Sequence, residues 1–231
     1  MQLSAPVYVL KRNAQRLMRD MSIPRHQALD QVARGEGFRS WSHLSASHRP
    51  GPAGQVLQAL PQGGLMLIAA RPGQGKTLLG LELAVQAAQA GRLARLFTLD
   101  STQAQVLTYL REMGQDPARM PGAFGLDCSD AICADHISAA IGDQPGLAVV
   151  DYLQLLDQRR SLPPLGAQVQ TLHDHARATG ATHVLLSQID RQFDATGRRM
   201  PGLGDLRLPN PLDLGLIDRF CFLHAGRLQM A

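Results

Sequence analysis

Residues 70–77 read Ala-Arg-Pro-Gly-Gln-Gly-Lys-Thr, a glycine-rich turn that ends in Lys-Thr. The turn lies between an apolar run at 65–70 and a helical pattern that continues to about residue 90. The N–H groups of such a turn, together with the N-terminus of the following helix, favour a bound phosphate group. Residue 70 is Ala where the strict motif has Gly, so the match is to a relaxed form. We predict a nucleotide site made by Arg71, Pro72, Gly73, Gln74, Gly75, Lys76, Thr77 and Leu78.

Two of these residues have a specific chemical role. Lys76 supplies positive charge to the outer phosphates, and the Thr77 hydroxyl is a natural ligand for Mg²⁺. Among the 23 lysines and arginines of the chain, only Lys11 and Lys76 are lysines. A chain that otherwise uses arginine but keeps a lysine here indicates a position that needs a compact ammonium group.

Two carboxylates stand at the ends of apolar runs that predict strands. Asp151 ends the run 146–151, and a carboxylate beside Thr77 would complete the Mg²⁺ site. Asp100 follows the run 94–99. It could act as the base that orients an attacking water, or it could cap the helix that follows it. The sequence leaves these two roles of Asp100 open.

A third strand end and two loops carry further polar candidates. Gln188 follows the run 182–187, where it could report the γ-phosphate to the residues after it. The loops on this edge could hold the backbone of single-stranded DNA, or their arginines could simply be solvated. The DNA-binding candidates are Arg159, Arg160, Arg191, Arg198, Arg199 and Arg207.

Apolar runs alternate with helical patterns along most of the chain. This alternation predicts an α/β fold, with a mostly parallel sheet covered by helices on both faces. Ligands of such sheets bind at the carboxyl ends of the strands, where the glycine-rich turn begins. The predicted strands are 65–70, 94–99, 122–126, 146–151, 182–187, 218–223 and 227–230, and the predicted helices are 76–90, 102–113, 130–142 and 165–179.

Residues 1–49 form a separate, basic segment. They carry eight basic and three acidic side chains, in a chain whose formal net charge is +4. The charge indicates either an acidic partner, such as nucleic acid, or an exposed helical face. A Pro- and Gly-rich stretch predicts a linker over 50–59, with the main domain at 60–231. Three short helices are expected within 7–47, around a small core of Leu17, Leu29, Phe38, Trp41 and Leu44.

Composition limits the class of protein. Hydrophobic residues make up 45% of the chain and charged residues 18%, which is typical of a folded globular protein. No apolar run approaches the ~20 residues of a membrane span, and the N-terminus lacks the pattern of a signal peptide. Three cysteines, an odd count, are typical of free thiols in a reducing compartment. We therefore expect a cytoplasmic protein with no membrane partner.

Five motifs occur in an order that resembles a known family. ARPGQGKT, LFTLDST, VVDYLQLLD, LSQIDR and GDLRLPN are similar to motifs in the ATPase domain of DnaB-type hexameric replicative helicases, which has a RecA-like P-loop fold. The resemblance covers about residues 60–225. It implies ATP and Mg²⁺ as cofactors, and loops that face DNA in the pore of a ring. The roles it implies are phosphate and Mg²⁺ contacts for Lys76 and Thr77, Mg²⁺-associated acid for Asp151, catalytic base for Asp100, and γ-phosphate sensor for Gln188.

Three departures from the family pattern bear on activity. Asp100 stands where the family has Glu, and a misplacement of ~1 Å can cost about 10²-fold in rate. The chain ends at Ala231, before the region where these helicases carry a trans-acting arginine; such an arginine can contribute about 10³–10⁵ to turnover. Arg219 or Arg227 could substitute for it. A segment of about 50 residues, which resembles a short helical module of assorted bacterial proteins, replaces the family's large N-terminal domain.

The sequence therefore predicts a DnaB-like, ATP-binding protein that hydrolyses ATP slowly with Mg²⁺ and acts on or beside DNA, as in DNA replication. DNA unwinding and the formation of a homo-oligomer stay open. One alternative is a non-hydrolysing module in which ATP orders residues 189–212 for a protein partner. Another is a DNA-binding regulator that uses the basic helices at 7–47.

Overall fold

The computed structural model describes Ser4 and residues 7–47, 51–116, 120, 122–157, 162–208 and 210–231. The chain forms two compact units, Met1–Gly51 and Pro52–Ala231. No helix in the described ranges is long and apolar enough to cross a membrane.

The smaller unit contains three helices, α1 (Val7–Asp20), α2 (Arg25–Gly35) and α3 (Trp41–Ser47). Pro24 immediately precedes α2, which suits the fixed φ of proline at a helix start. The core differs from the predicted one, because Leu17 and Leu29 are only half-buried. The residues that fill it are Leu10, Ala33 and Leu44, with Val32, Phe38 and Trp41 packed against them.

The larger unit is built on a seven-stranded sheet with the order β3-β2-β4-β5-β1-β6-β7. All neighbouring strands are parallel except β6 and β7, which form an antiparallel pair. The predicted α/β fold class is confirmed. The strands are β1 (Gly64–Ala70), β2 (Ala94–Thr98), β3 (Phe124–Asp127), β4 (Leu147–Asp151), β5 (Thr182–Gln188), β6 (Arg219–His224) and β7 (Arg227–Met230).

Five helices cover the two faces of this sheet. They are α4 (Pro52–Ala59), α5 (Lys76–Gln89), α6 (Gln103–Glu112), α7 (Ala134–Ile141) and α8 (Leu165–Thr179). Alternate residues of β1 point to opposite faces, so Met66 and Ile68 pack with α4, α5 and α6, while Leu65 and Leu67 pack with α7 and α8. Every residue of β1 is buried, which is the expected pattern for a central parallel strand.

Helix α5 lies directly against the sheet because it has no side chain at Gly80. A Cβ at this position would lie 2.7 Å from Leu186 Cδ1 and 3.0 Å from Val149 Cγ1. The close approach fixes the start of α5, and therefore the glycine-rich turn before it, relative to the ends of β4 and β5.

Most of the stretch predicted as a linker, 50–59, forms α4 and belongs to the larger unit. Ala53 and Val56 are fully buried and pack with α5. Proline is favourable in the first turn of a helix, where its missing N–H has no partner to lose. Apolar residues at helical spacing therefore outweigh the turn-forming composition of this stretch.

Candidate active site

The glycine-rich turn connects the buried end of β1 to the start of α5. Gly73 and Gly75 have φ of 77° and 82°, in the left-handed region that favours glycine. A Cβ at either position would meet open space, so the requirement for glycine is conformational and not steric. No side chain caps the N-terminus of α5. Its first N–H groups are therefore available to an anion, as the sequence predicts for a phosphate loop.

Lys76 and Asp151, which lie 75 residues apart in the sequence, form an ion pair in the structure. Lys76 Nζ is 2.5 Å from Asp151 Oδ1, and the two side chains are 10% and 0% exposed. The strand order explains the contact: β1 and β4 both flank β5, so Lys76 at the start of α5 reaches across the end of β5. Tyr152 closes the other side, with its ring centroid 5.4 Å from Lys76 Nζ.

The second carboxylate oxygen of Asp151 fits a metal ligand. Asp151 Oδ2 is buried and has no hydrogen-bond partner among the described residues. A buried carboxylate oxygen without a partner is costly unless a donor or a cation meets it. Mg²⁺ prefers oxygen ligands, and the Thr77 hydroxyl in the first turn of α5 is a second oxygen on the same edge of the sheet. The residues present therefore fit the Mg²⁺ implied by the phosphate loop.

Asp100 leaves the sheet at the same edge as Asp151. Its backbone N–H donates to Thr98 Oγ1 at 3.2 Å, and Thr98 pairs with Asp151 in the register of β2 and β4. Its side chain is exposed and has no partner among the residues that the structure describes.

The alternative role of Asp100 as a helix cap is wrong. Thr102 is the N-cap of α6: its Oγ1 accepts from Gln105 N at 3.3 Å, and Gln105 Oε1 accepts from Thr102 N at 2.8 Å. Because this capping box satisfies the end of the helix, the carboxylate of Asp100 is free for another role.

Gln188 is the last residue of β5, beside Ala70 at the end of β1. Its side-chain Oε1 accepts from Arg207 Nη1 at 3.1 Å, and its carbonyl accepts from Arg207 N at 2.9 Å. The Arg207 carbonyl in turn accepts from Gln154 Nε2 at 2.7 Å. The predicted γ-phosphate sensor is therefore bonded directly to one of the predicted DNA-binding arginines. Sequence reasoning missed Gln154, although it lies in the VVDYLQLLD motif.

Arg71 belongs to the phosphate loop by sequence, but its guanidinium points away from the loop. It donates to Asp194 and to the Ile189 carbonyl, both of which follow β5. Beside it, a cleft of about 390 Å³ is lined by Arg71, Asp190, Arg191 and Arg207. The side chain of Arg71 thus lines this cleft.

The other predicted DNA-binding arginines are placed differently. Arg198 pairs with Asp205 and lies over the ring of Phe193, 5.4 Å from the centroid. Arg199 is exposed. Arg159 and Arg160 lie outside the described residues.

The two arginines considered as substitutes for a trans-acting arginine lie at opposite edges of the sheet. Arg219 begins β6 beside Met66, so it is far from the carboxyl end of β1. Arg227 pairs with His224 at the start of β7, on the same edge as the phosphate loop. At that edge, Ala225 N donates to Gln74 Oε1 of the phosphate loop at 2.7 Å.

A mostly parallel sheet with a phosphate loop after a central strand defines a P-loop ATPase fold of the RecA-like type. No family model matches the sequence, and no curated protein matches it.

Solved structures identify the type of ATPase fold more closely. The ATPase domain of one DnaB-like helicase aligns with a TM-score of 0.59 at 19% identity, over 86% of this chain and 82% of that chain. A DnaB-like replicative helicase, solved to describe its interactions with primase, aligns with a TM-score of 0.56 at 18% identity, over 93% and 67% of the two chains. The chain has the fold of the ATPase domain of DnaB-type helicases.

Proposed function

We propose that this protein binds ATP with Mg²⁺ and hydrolyses it slowly, as a DnaB-like ATPase that acts on or beside DNA. The observation that carries the proposal is the contact between Lys76 Nζ and Asp151 Oδ1, 2.5 Å long and almost completely buried. It brings the phosphate loop and the acid of a second strand to one point on the edge where P-loop proteins bind nucleotide. Asp151 Oδ2 is left for the cation that accompanies the phosphates.

Each residue has one role in the proposed reaction. The N–H groups at the start of α5 hold the phosphates, and Lys76 turns from Asp151 to the outer phosphates when nucleotide enters. Mg²⁺, held by Thr77 and Asp151, would supply positive charge to the phosphate oxygens. Asp100 orients a water for in-line attack on the γ-phosphorus and accepts its proton. Gln188 contacts the γ-phosphate and passes its presence to Arg207.

Two features support slow turnover. Asp is one methylene shorter than the Glu usual at the base position, and an error of ~1 Å in placement costs about 10²-fold. Asp100 is also exposed, so water competes for its carboxylate. A trans-acting arginine from a second copy could raise the rate, and Arg227 is better placed for such a role than Arg219.

The proposed DNA contact is to the phosphate backbone and not to stacked bases. Phe193 is the only aromatic residue in the arginine-rich segment after β5, and it is 3% exposed. The cleft beside it is lined by three arginines and one aspartate, which gives it excess positive charge. Backbone binding of this kind weakens steeply as salt is raised.

ATP turnover by the purified chain, with and without single-stranded DNA, tests the proposal. Lys76→Ala and Asp100→Asn should each abolish turnover, because one removes phosphate charge and the other removes the base. Asp143→Asn is the matched control: Asp143 is exposed but precedes β4, at the opposite edge of the sheet. Circular dichroism should establish that all variants are folded. Undiminished turnover in Asp100→Asn would contradict the assigned base.

A second candidate is an ATP-gated binding module without hydrolysis. The exposed position of Asp100 favours it, because an exposed carboxylate holds an attacking water poorly. Saturable binding of ATP–Mg²⁺ with no turnover, in the presence or absence of DNA, would support this candidate.

A further inference from the structure

The side chain of Arg71 connects the phosphate loop to the residues that follow β5. Its Nε lies 3.1 and 3.0 Å from the two carboxylate oxygens of Asp194, and its Nη2 lies 2.8 Å from Oδ2. Its Nη1 donates to the Ile189 carbonyl at 3.1 Å. A guanidinium that meets a carboxylate through two nitrogens is fixed in direction as well as in distance.

We infer that Arg71 is a positioning residue whose ion pair with Asp194 couples nucleotide occupancy of the phosphate loop to the post-β5 segment (residues 189–207). This inference rests on the proposed binding of ATP. It concerns coupling between two sites, which the roles of Lys76, Asp151 and Asp100 do not supply.

The Arg71 end of the connection responds to phosphate because of its place in the loop. Arg71 is the first residue after β1, and its carbonyl accepts from Gln74 N at a long 3.3 Å. A phosphate in the loop competes for the N–H groups of the turn, since a charged acceptor forms a stronger hydrogen bond than a carbonyl. Nucleotide binding therefore shifts the backbone on which the Arg71 guanidinium is carried.

The Asp194 end is anchored in the core. Asp194 lies in a short 3₁₀ turn, Arg191–Ala195, which begins with Asp190 Oδ1 accepting from Gln192 N at 2.8 Å. The neighbouring Phe193 is 3% exposed and meets His224 edge to face, with the ring centroids 5.1 Å apart. A turn held in this way moves as a unit when Arg71 pulls on Asp194.

The turn transmits such a movement to the arginine-lined cleft. Asp190 N donates to the Asp205 carbonyl at 2.7 Å, and Ile189 pairs with Leu206 in an antiparallel bridge. Arg191 within the turn and Arg207 after the bridge both line the cleft. A shift of the turn therefore changes the spacing of the two guanidinium groups that would meet DNA phosphates.

The expected size of the coupling is modest because the pair is partly exposed. The side chains of Arg71 and Asp194 are 22% and 54% exposed. An ion pair of this exposure changes an equilibrium by up to about fivefold.

Hydrogen exchange of the backbone amides in residues 189–207, measured with and without saturating ATP–Mg²⁺, tests the inference. In the natural sequence ATP should slow exchange at Asp190, Gln192 and Phe193. In Asp194→Asn the slowing should fall by about two- to fivefold, while the ATP affinity measured by calorimetry stays within about twofold. Arg71→Lys keeps the charge but loses the two-nitrogen contact, and should give the same loss.

The matched control is Arg198→Gln, which breaks the ion pair of Arg198 with Asp205 in the same segment. No contact of Arg198 in the described part of the chain reaches the phosphate loop, so the ATP-dependent slowing should persist in this variant. Full slowing in Asp194→Asn would overturn the inference, and so would ATP binding without any slowing in the natural sequence. Absence of ATP binding would overturn the proposed function, and the inference with it.

Discussion

Lowering the pH from about 7.5 to about 5 is expected to destabilise the larger unit through one buried histidine, His183 in β5. Its Nε2 is 3.0 Å from His175 Nδ1 in α8, and His175 Nε2 is 3.2 Å from the Gly142 carbonyl oxygen. Because a carbonyl only accepts, His175 carries its proton on Nε2 and its Nδ1 accepts from His183. Both rings are therefore neutral, and His183 Nδ1 is buried with no partner in the described part of the chain.

The magnitude follows from the pKa of His183. Burial lowers it to about 3, and the charges of His175 and the nearby Arg92 lower it further in the same direction. The unfolded chain has the ordinary value of about 6.5, so below that pH the unfolded state binds a proton that the folded state does not. The stabilisation by neutral His183 is complete above pH 6.5 and is lost as the pH falls towards 3. Between pH 7.5 and pH 5 the loss is about 2 kcal/mol.

His183→Gln tests this value, because a glutamine amide can donate to His175 Nδ1 but does not titrate. Urea unfolding at the two pH values, followed by far-ultraviolet circular dichroism, gives the free energy of unfolding. The single tryptophan, Trp41, lies in the smaller unit, so its fluorescence does not report on this transition. The variant should lose about 2 kcal/mol less than the natural sequence.

His173→Gln is the control, because His173 lies on α8 but is 21% exposed. It should retain the pH dependence of the natural sequence. If His183→Gln lost as much stability as the natural sequence between the two pH values, the reasoning from the buried neutral pair would be refuted.

Three further predictions concern the edge that carries the site. Asp151→Leu should destabilise the protein by about 3–5 kcal/mol, because it leaves the Lys76 ammonium buried without its partner; urea unfolding would measure this, and adding Lys76→Met should restore most of the loss. Arg191→Gln should reduce the slope of log K against log salt for single-stranded DNA by about 0.7, the share of one phosphate contact, in filter-binding titrations; an unchanged slope would place the DNA elsewhere. Gln74→Ala removes the acceptor of Ala225 N, a hydrogen bond worth about 0.5–1.5 kcal/mol, so exchange of that amide should speed up several-fold; equal exchange rates would mean that the contact does not form in solution.

The sequence was sufficient for the fold class and for the phosphate loop. The loop depends on neighbours in the chain: left-handed glycines at 73 and 75, and free N–H groups at the start of the next helix. The strands are buried on both faces, so their apolar runs are visible without knowledge of their neighbours. The predicted helix 165–179 matches α8, and the predicted strand 146–151 differs from β4 by one residue.

Local signals misled where two elements compete for the same residues. The stretch 50–59 has the composition of a linker, but burial of Ala53 and Val56 against α5 makes most of it a helix. Asp100 has the position of a helix cap, but the capping box of Thr102 takes that role two residues later. In both cases, contacts with other residues outweigh the intrinsic preference of the segment.

Only the tertiary structure decided which side chains meet. The pairing of Lys76 with Asp151 depends on β5 lying between β1 and β4, an order that no local pattern specifies. The direction of Arg71 depends on Asp194, which is 123 residues away in the chain. The physical reason is that backbone conformation is set largely by near neighbours, whereas an ion pair between distant residues exists only once strand order and register have brought them together.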